Sequence, residues 1–221
     1  MKTLNKTLVC TALLGASALA LAPLANATPE LEVAIGSSGC STVESTSSDG
    51  TLTWAGASGA FNPIVVSGLG VPLSGPPDLL NSDTVDAHSS GSGTIYLCIT
   101  ETGVSALSGH ALSSFASNDA LPSGWHVTET SYADAADTAF GNAEVLGTHT
   151  FTGSPSNSSA PSILSFGGPF SLTEIYAITA SSRGTTNDAI DIATVPEPAT
   201  FALLAVGLLG TAIGLRRRRR G

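Results

Sequence analysis

Thr94-Ile95-Tyr96-Leu97-Cys98-Ile99-Thr100 alternates without a break, with Ile95, Leu97 and Ile99 on one side of an extended chain and Tyr96, Cys98 and Thr100 on the other. A period of two marks a strand with one face toward a core, and its β-branched and aromatic residues suit a pleated, half-buried surface. We place it centrally. The same period recurs on both sides of it. Leu31, Val33 and Ile35 alternate with Glu32 and Ala34, and Trp125, Val127 and Glu129 alternate with His126, Thr128 and Thr130 in a more polar strand set near an edge. Thr51 to Trp54, Phe61 to Val66 (broken by Pro63), Val145 to Phe151, Ser162 to Phe166 and a last strand through Ile190 and Ile192 extend the set. Clusters of Gly, Ser, Asn, Asp and Pro separate them, and in Ser48-Asp49-Gly50 the Asp-Gly pair favours the positive φ angles of a tight hairpin. Ala133 to Phe140 reads as a short helix, and Gly70 to Pro77 as irregular. Eight to ten short strands with almost no helix predict an antiparallel β-sandwich, jelly-roll-like or immunoglobulin-like.

One stretch resists this pattern. Phe170, Leu172, Tyr176 and Ile178 form an apolar stripe that Glu174 interrupts. Either a bulge shifts the register there or Glu174 is a partly buried carboxylate, and the cost of burying an unpaired carboxylate favours the bulge.

The two termini carry much of the 42% hydrophobic content and nearly all the positive charge. Lys2 and Lys6, the apolar stretch Leu8 to Leu24 and the small-x-small pattern Ala25-Asn26-Ala27 compose a secretory signal peptide cleaved after Ala27. Seven of the eight basic residues lie at the ends, Lys2, Lys6 and Arg216 to Arg220, which leaves Arg183 alone in the middle. Of 17 acids only Glu197 falls in the tail, so residues 28–194 carry 16 acids against one base, a formal charge of −15. Such a surface repels phosphate backbones, and we exclude nucleic acid as a partner.

The C-terminus is built of three blocks. Val195-Pro196-Glu197-Pro198 ends regular structure, since Pro enters neither a helix interior nor a strand ladder. Ala199 to Leu215 would form a helix of about 25 Å, the short end of a membrane span. Arg216, Arg217, Arg218, Arg219 and Arg220 hold the terminus on the cytoplasmic side, with everything before the span outside. Together these blocks resemble the PEP-CTERM sorting signal of Gram-negative bacteria. The resemblance implies that Val195, Pro196, Glu197 and Pro198 are read by an exosortase, a cysteine-dependent transpeptidase-like membrane enzyme that processes the tail. It implies transient anchoring in the inner membrane, then a place at the cell surface or in an extracellular matrix of exopolysaccharide and biofilm. The stretches Pro77 to Thr102 and Phe170 to Thr194 are similar to all-β ectodomains carried by such proteins. The chain thus divides into a signal peptide (1–27), an exported acidic domain (28–194) and a sorting and anchor segment (195–221).

Cys10 leaves with the signal peptide, so Cys40 and Cys98 remain as a pair in an oxidising compartment and a disulfide is expected between them; the alternative is a buried thiol at Cys98 and a loop thiol at Cys40. His88, His110, His126 and His149 show no metal-ligand spacing. No nucleophile elbow is present, Gly36-Ser37-Ser38-Gly39-Cys40 having the wrong final residue. No catalytic residue or obligate cofactor is assigned. Calcium is the one cofactor considered, through Asp78, Asp83 and Asp86 and through Asp188 and Asp191, with a solvated acidic surface as the default. The leading expectation is a non-enzymatic structural or adhesive protein. Its first rival is a carbohydrate-binding module, for which Trp54, Trp125, Tyr96 and Tyr132 are the candidate aromatics, although core packing would also use each of them. The second is a secreted hydrolase.

Overall fold

The structure, a computed structural model, describes residues 28–71, 73, 77–105 and 107–195. The cleavage pattern at Ala25 and Ala27, the residues Pro196, Glu197 and Pro198, the apolar span and Arg216 to Arg220 lie outside the described residues.

Among the described residues twelve strands form two six-stranded antiparallel sheets that face each other as a sandwich. The first sheet has the order β2(Thr42–Ser47), β1(Glu30–Gly36), β6(Gly93–Val104), β11(Phe170–Ala180), β8(His126–Asp134), β9(Glu144–Phe151). The second runs β10(Ser156–Phe166), β7(Leu107–Ser117), β12(Gly184–Val195), β5(Asp78–Ser89), β4(Phe61–Leu69), β3(Thr51–Ser58). β6 lies inside its sheet between β1 and β11, as its alternation requires, with Ile95, Leu97 and Ile99 buried in the core. Leu31, Val33 and Ile35 of β1 join them, and Phe61, Ile64, Val66, Leu80, Val85, Phe115, Ile190 and Ile192 face them from the second sheet. β8 lies one strand in from the edge, between β11 and β9.

Two of the four edge strands, β2 and β10, are largely polar. Exposed Thr, Ser and Glu fill much of β2, while Ser and Pro161 fill much of β10, a composition that discourages pairing with another chain. β2, β7 and the first half of β10 escape a reading based on alternation of apolar residues, because their inward or covered positions are largely small or hydroxylic, whereas Ser162 to Phe166 reads as a strand. β7, for example, turns Ala111, Ser113, Phe115 and Ser117 inward.

Four local expectations change. Ala133 to Phe140 is not a helix: β8 runs to Asp134, and a turn follows in which Asp137 and Phe140 adopt left-handed φ angles of 54° and 56°. Gly141 in that turn has no room for a side chain, since a Cβ would lie 2.4 Å from the Asp134 carboxylate. Ser48-Asp49-Gly50 does turn, with Asp49 accepting bonds from Thr51, but it joins strands of different sheets and closes no hairpin. Pro63 does not end its strand, because β4 passes through a cis Asn62–Pro63 bond with a register shift before Ile64. At Glu174 there is no bulge. The shift in the β11–β6 ladder falls between Phe170 and Leu172, where β6 carries the extra residue, so Glu174 keeps its inward parity and is fully buried.

Candidate functional site

Two places in the sandwich have unusual chemistry, one on the outer face of the first sheet and one between the sheets. On the outer face the register sets Tyr96, Ala177 and Thr128 in one row across β6, β11 and β8, with Cys98, Ile175 and Thr130 in the next and Thr100, Thr173 and Tyr132 in the third. Two loops cover part of this face. Cys40, in the β1–β2 turn, is joined to Cys98 by a disulfide with Cα atoms 5.7 Å apart, and the turn roofs Cys98. From the other side the 135–143 loop folds over Thr100, whose hydroxyl accepts the Phe140 N–H at 3.2 Å. Ser171 holds the same loop by donating to the Thr138 carbonyl at 2.7 Å, as does Asp137 by accepting the Gly103 N–H at 2.7 Å. Two non-glycine residues in left-handed geometry within six residues mark a strained loop, and such strain persists only where the surroundings over-determine it.

Between these walls a trough of about 480 Å³ stays open. Its floor is Ile175, Ala177, Thr128 and Thr130, with Tyr96 and Tyr132 at diagonal corners and Phe140 and Asn142 along one wall. No charged side chain lines it. The threonines are oriented: Thr148 donates to the Glu129 carbonyl at 3.1 Å, so in the 2.7 Å pair the hydrogen belongs to Thr130 and its oxygen remains an acceptor toward the trough. A larger depression of about 670 Å³ on the second sheet is lined by Ser, Asn and Asp191 together with Leu112, Ile190 and two Ala, and its single ring, Phe115, is buried.

The second place is a polar layer within the core. Glu129 and Ser131 of β8 stand opposite Tyr176 and Glu174 of β11, and all four point inward. Ser82 faces them from the second sheet. It donates to Glu174 Oε2 at 2.5 Å and accepts the Tyr176 hydroxyl hydrogen. Ser131 donates to Ser113 at 2.7 Å, and Thr186 to Asp188 at 2.7 Å. Among the described residues no basic side chain balances these acids. Burial pushes Glu129 up to about 10, with Asp188 and then Glu174 adding repulsion. Asp188 rises to about 6, burial outweighing its Thr186 bond. Glu101, farther along the core face of β6, rises to about 8 through burial despite accepting the Val71 N–H at 2.5 Å. Glu101, Glu129, Glu174 and Asp188 all have no solvent exposure, so no bulk substrate reaches them.

The end of β12 is where the sandwich meets the C-terminal tail. Ile190 and Ile192 anchor the strand in the core, and Thr194 is tied to the Pro77 carbonyl through both its N–H, at 2.5 Å, and its hydroxyl, at 3.2 Å. Val195 still pairs with His110, and its side chain is exposed. Residues 194–219 match the model of the PEP-CTERM protein-sorting motif. The chain carries a PEP-CTERM sorting signal. That signal implies an exported protein, anchored in a membrane during sorting and processed by an exosortase. Its first two residues are the last two of the sandwich.

No curated protein matches the chain. Among solved structures it is similar to TmCBM61 in complex with β-1,4-galactotriose, at 14% identity over 52% of this chain and 70% of the other, with a TM-score of 0.34. It is also similar to the enzymatically active domain of tailspike protein 4 of bacteriophage CBA120, at 10% identity over 66% of this chain and 19% of the other, TM-score 0.36. A third is the cleaved adhesin domain of Lys-gingipain from Porphyromonas gingivalis, at 14% identity over 67% and 99%, TM-score 0.31.

The four candidate aromatics separate. Tyr96 and Tyr132 line the trough together. Trp125 is buried, donating its indole N–H to the Ser182 carbonyl at 3.0 Å and meeting Phe61 edge-on. Trp54 lies half-buried over Gly56 on β3, in the other sheet. Of the calcium acids, Asp188 points into the core and Asp86 accepts from Asn187 at 2.5 Å, the side chain of Asp83 lies outside the described residues, and among those described no three His, Cys, Asp or Glu side chains form a metal-binding group. Phe140 and Asn142 were not legible as site residues, because their place depends on a turn that the sequence presents as a helix.

Proposed function

We propose that this protein is an exported component of the cell surface or extracellular matrix, delivered by a signal peptide ending at Ala27 and released from its C-terminal anchor by an exosortase, with a non-enzymatic structural or adhesive sandwich as the mature product. The PEP-CTERM motif at residues 194–219 carries the reading. The strand supports it physically, because β12 delivers the chain directly into the motif with no spacer. Between Val195 and Ala199 the chain can reach only about 14 Å even fully extended. Before processing the domain therefore sits close above the membrane, where the enzyme that reads Pro196, Glu197 and Pro198 also sits. The basic block Arg216 to Arg220 stays behind with the tail, and the released domain is acidic.

The test is replacement of Pro196, Glu197 and Pro198 together by Ala in an exosortase-bearing host. The account expects the variant to stay in the membrane fraction with its tail attached. Release at the wild-type level would overturn it. A second reading, that the matrix role includes binding polysaccharide, is favoured by the uncharged, tyrosine-cornered trough.

A further inference from the structure

We propose that the trough on the outer face of β6, β11 and β8 binds a neutral oligosaccharide, with Tyr96 and Tyr132 as stacking platforms and Thr128, Thr130 and Asn142 as hydrogen-bonding partners. This inference rests on the polysaccharide-binding reading above and gives it a place and a ligand class.

A sugar ring presents an apolar C–H face and a rim of hydroxyls, so a complementary site needs aromatic rings at its surface beside neutral donors and acceptors. The trough supplies both. Tyr96 and Tyr132 are two strands and four residues apart, roughly 17 Å between Cα atoms from the spacing of strands and residues. That separation is too long for one ring and suits a short oligosaccharide lying diagonally across β11. Ile175 lies at the middle of that diagonal as an apolar floor, and Ala177, next to Tyr96, is small and leaves depth at that end. The Thr130 oxygen, its hydrogen already given to Thr148, accepts from a sugar hydroxyl, while Asn142, exposed at the rim, offers both a donor and an acceptor.

Charge decides the class of sugar. The domain bears 16 acids and one base, yet none of these lines the trough. A uronic-acid or sulfated polymer would approach against the domain's field with no cation to receive it. A cationic polymer would gain from the field but would find no carboxylate inside. A neutral chain meets neither penalty. The trough is also pre-built, with one wall fixed by the Cys40–Cys98 disulfide and the other by the three bonds that hold the 135–143 loop. Little ordering is left to oppose binding.

The experiment uses the full chain in detergent on an array of neutral hexose oligosaccharides beside uronic-acid-containing ones, followed by titration of the best binder against Tyr96→Ala, Tyr132→Ala and the corresponding Phe variants. Binding of a neutral oligosaccharide is expected, weakened at least tenfold by either Ala substitution and less than threefold by either Phe. On the wild-type chain, ligand should slow amide hydrogen exchange in residues 37–41 and 135–143, a readout that needs no variant to fold. Glycan binding that survives both Ala substitutions with exchange unchanged at these loops would overturn the site and leave the polysaccharide reading standing. No binding to any neutral glycan, or binding to uronic-acid polymers alone, would overturn the site; silence across the whole array would take the polysaccharide reading with it, and the sorting of the chain would be untouched.

Discussion

Glu129, Glu174 and Asp188 meet inside the sandwich with Tyr176 and Ser82 among them. Their burial ties stability to pH with a definite sign. Asp188, Glu101 and Glu129 ionise near 4 in an unfolded chain but only near 6, 8 and 10 in the folded one, so between those values the folded form holds more protons. Stability is therefore fullest near pH 4 and falls as pH rises, by about 1.4 kcal/mol per pH unit for each group within its own window. Melting temperature followed from pH 4 to 9 should decline throughout, and Glu129→Gln should flatten the decline between pH 5 and 9 by about one proton's worth of slope. Equal slopes for the two proteins would mean that Glu129 is not the group titrating. The parity of Glu129 and Glu174 was legible in the sequence, since both share a face with apolar neighbours at a spacing of two. The cost of a buried carboxylate argued against taking Glu174's parity at face value. What the sequence could not display was Ser82, 92 residues away, arriving from the other sheet to donate to it.

At the level of elements, β6 organises both faces of its sheet. Its inward alternation was plain; the pairing of Cys98 with Cys40 was expected but with free thiols as the alternative, and the structure joins them. The role of that bridge in walling a trough was not legible, because it depends on which loop lies over which row of the sheet. Replacing Cys40 by Ser opens a loop of 58 residues, worth up to about 4 kcal/mol in the chain-entropy view. The variant's urea midpoint should fall to that of the wild type under reducing conditions, and a midpoint that ignored reductant would argue that the bridge adds nothing. The 135–143 loop misled the helix reading for a physical reason. Ala133, Ala135, Ala136 and Ala139 favour helix locally, but Asp134 caps a turn by accepting the Ala136 N–H at 2.9 Å, and Asp137 spends its carboxylate on Gly103. Asp137→Ala should cost about 1–3 kcal/mol, losing that bond and placing Ala at positive φ. Asp137→Asn, which tolerates this geometry and keeps the acceptor, should cost clearly less. Denaturant titration of the two variants would contradict the assignment if Asn proved as damaging as Ala.

For the whole molecule, the sequence separates basic termini from an acidic middle, and in the account proposed above the basic tail is the part left at the membrane. Burial tempers the acidity. With Glu101 and Glu129 held neutral at pH 7, the formal −15 of residues 28–194 becomes −13, a count that still includes buried Glu174 and Asp188. The three-block tail was legible because each block has a composition that admits few readings, whereas the sandwich topology was not, since strand order across two sheets leaves no local trace in a Ser- and Gly-rich chain. The fold and the tail meet at Thr194 and Val195, where the last core strand ends and the sorting motif begins. Intact-mass measurement of the protein recovered from the surface of an exosortase-bearing host decides whether the tail beyond that junction is removed. The account predicts a species that begins at Thr28 and lacks Ala199 to Gly221. A surface species that still carries the apolar segment and Arg216 to Arg220 would contradict it.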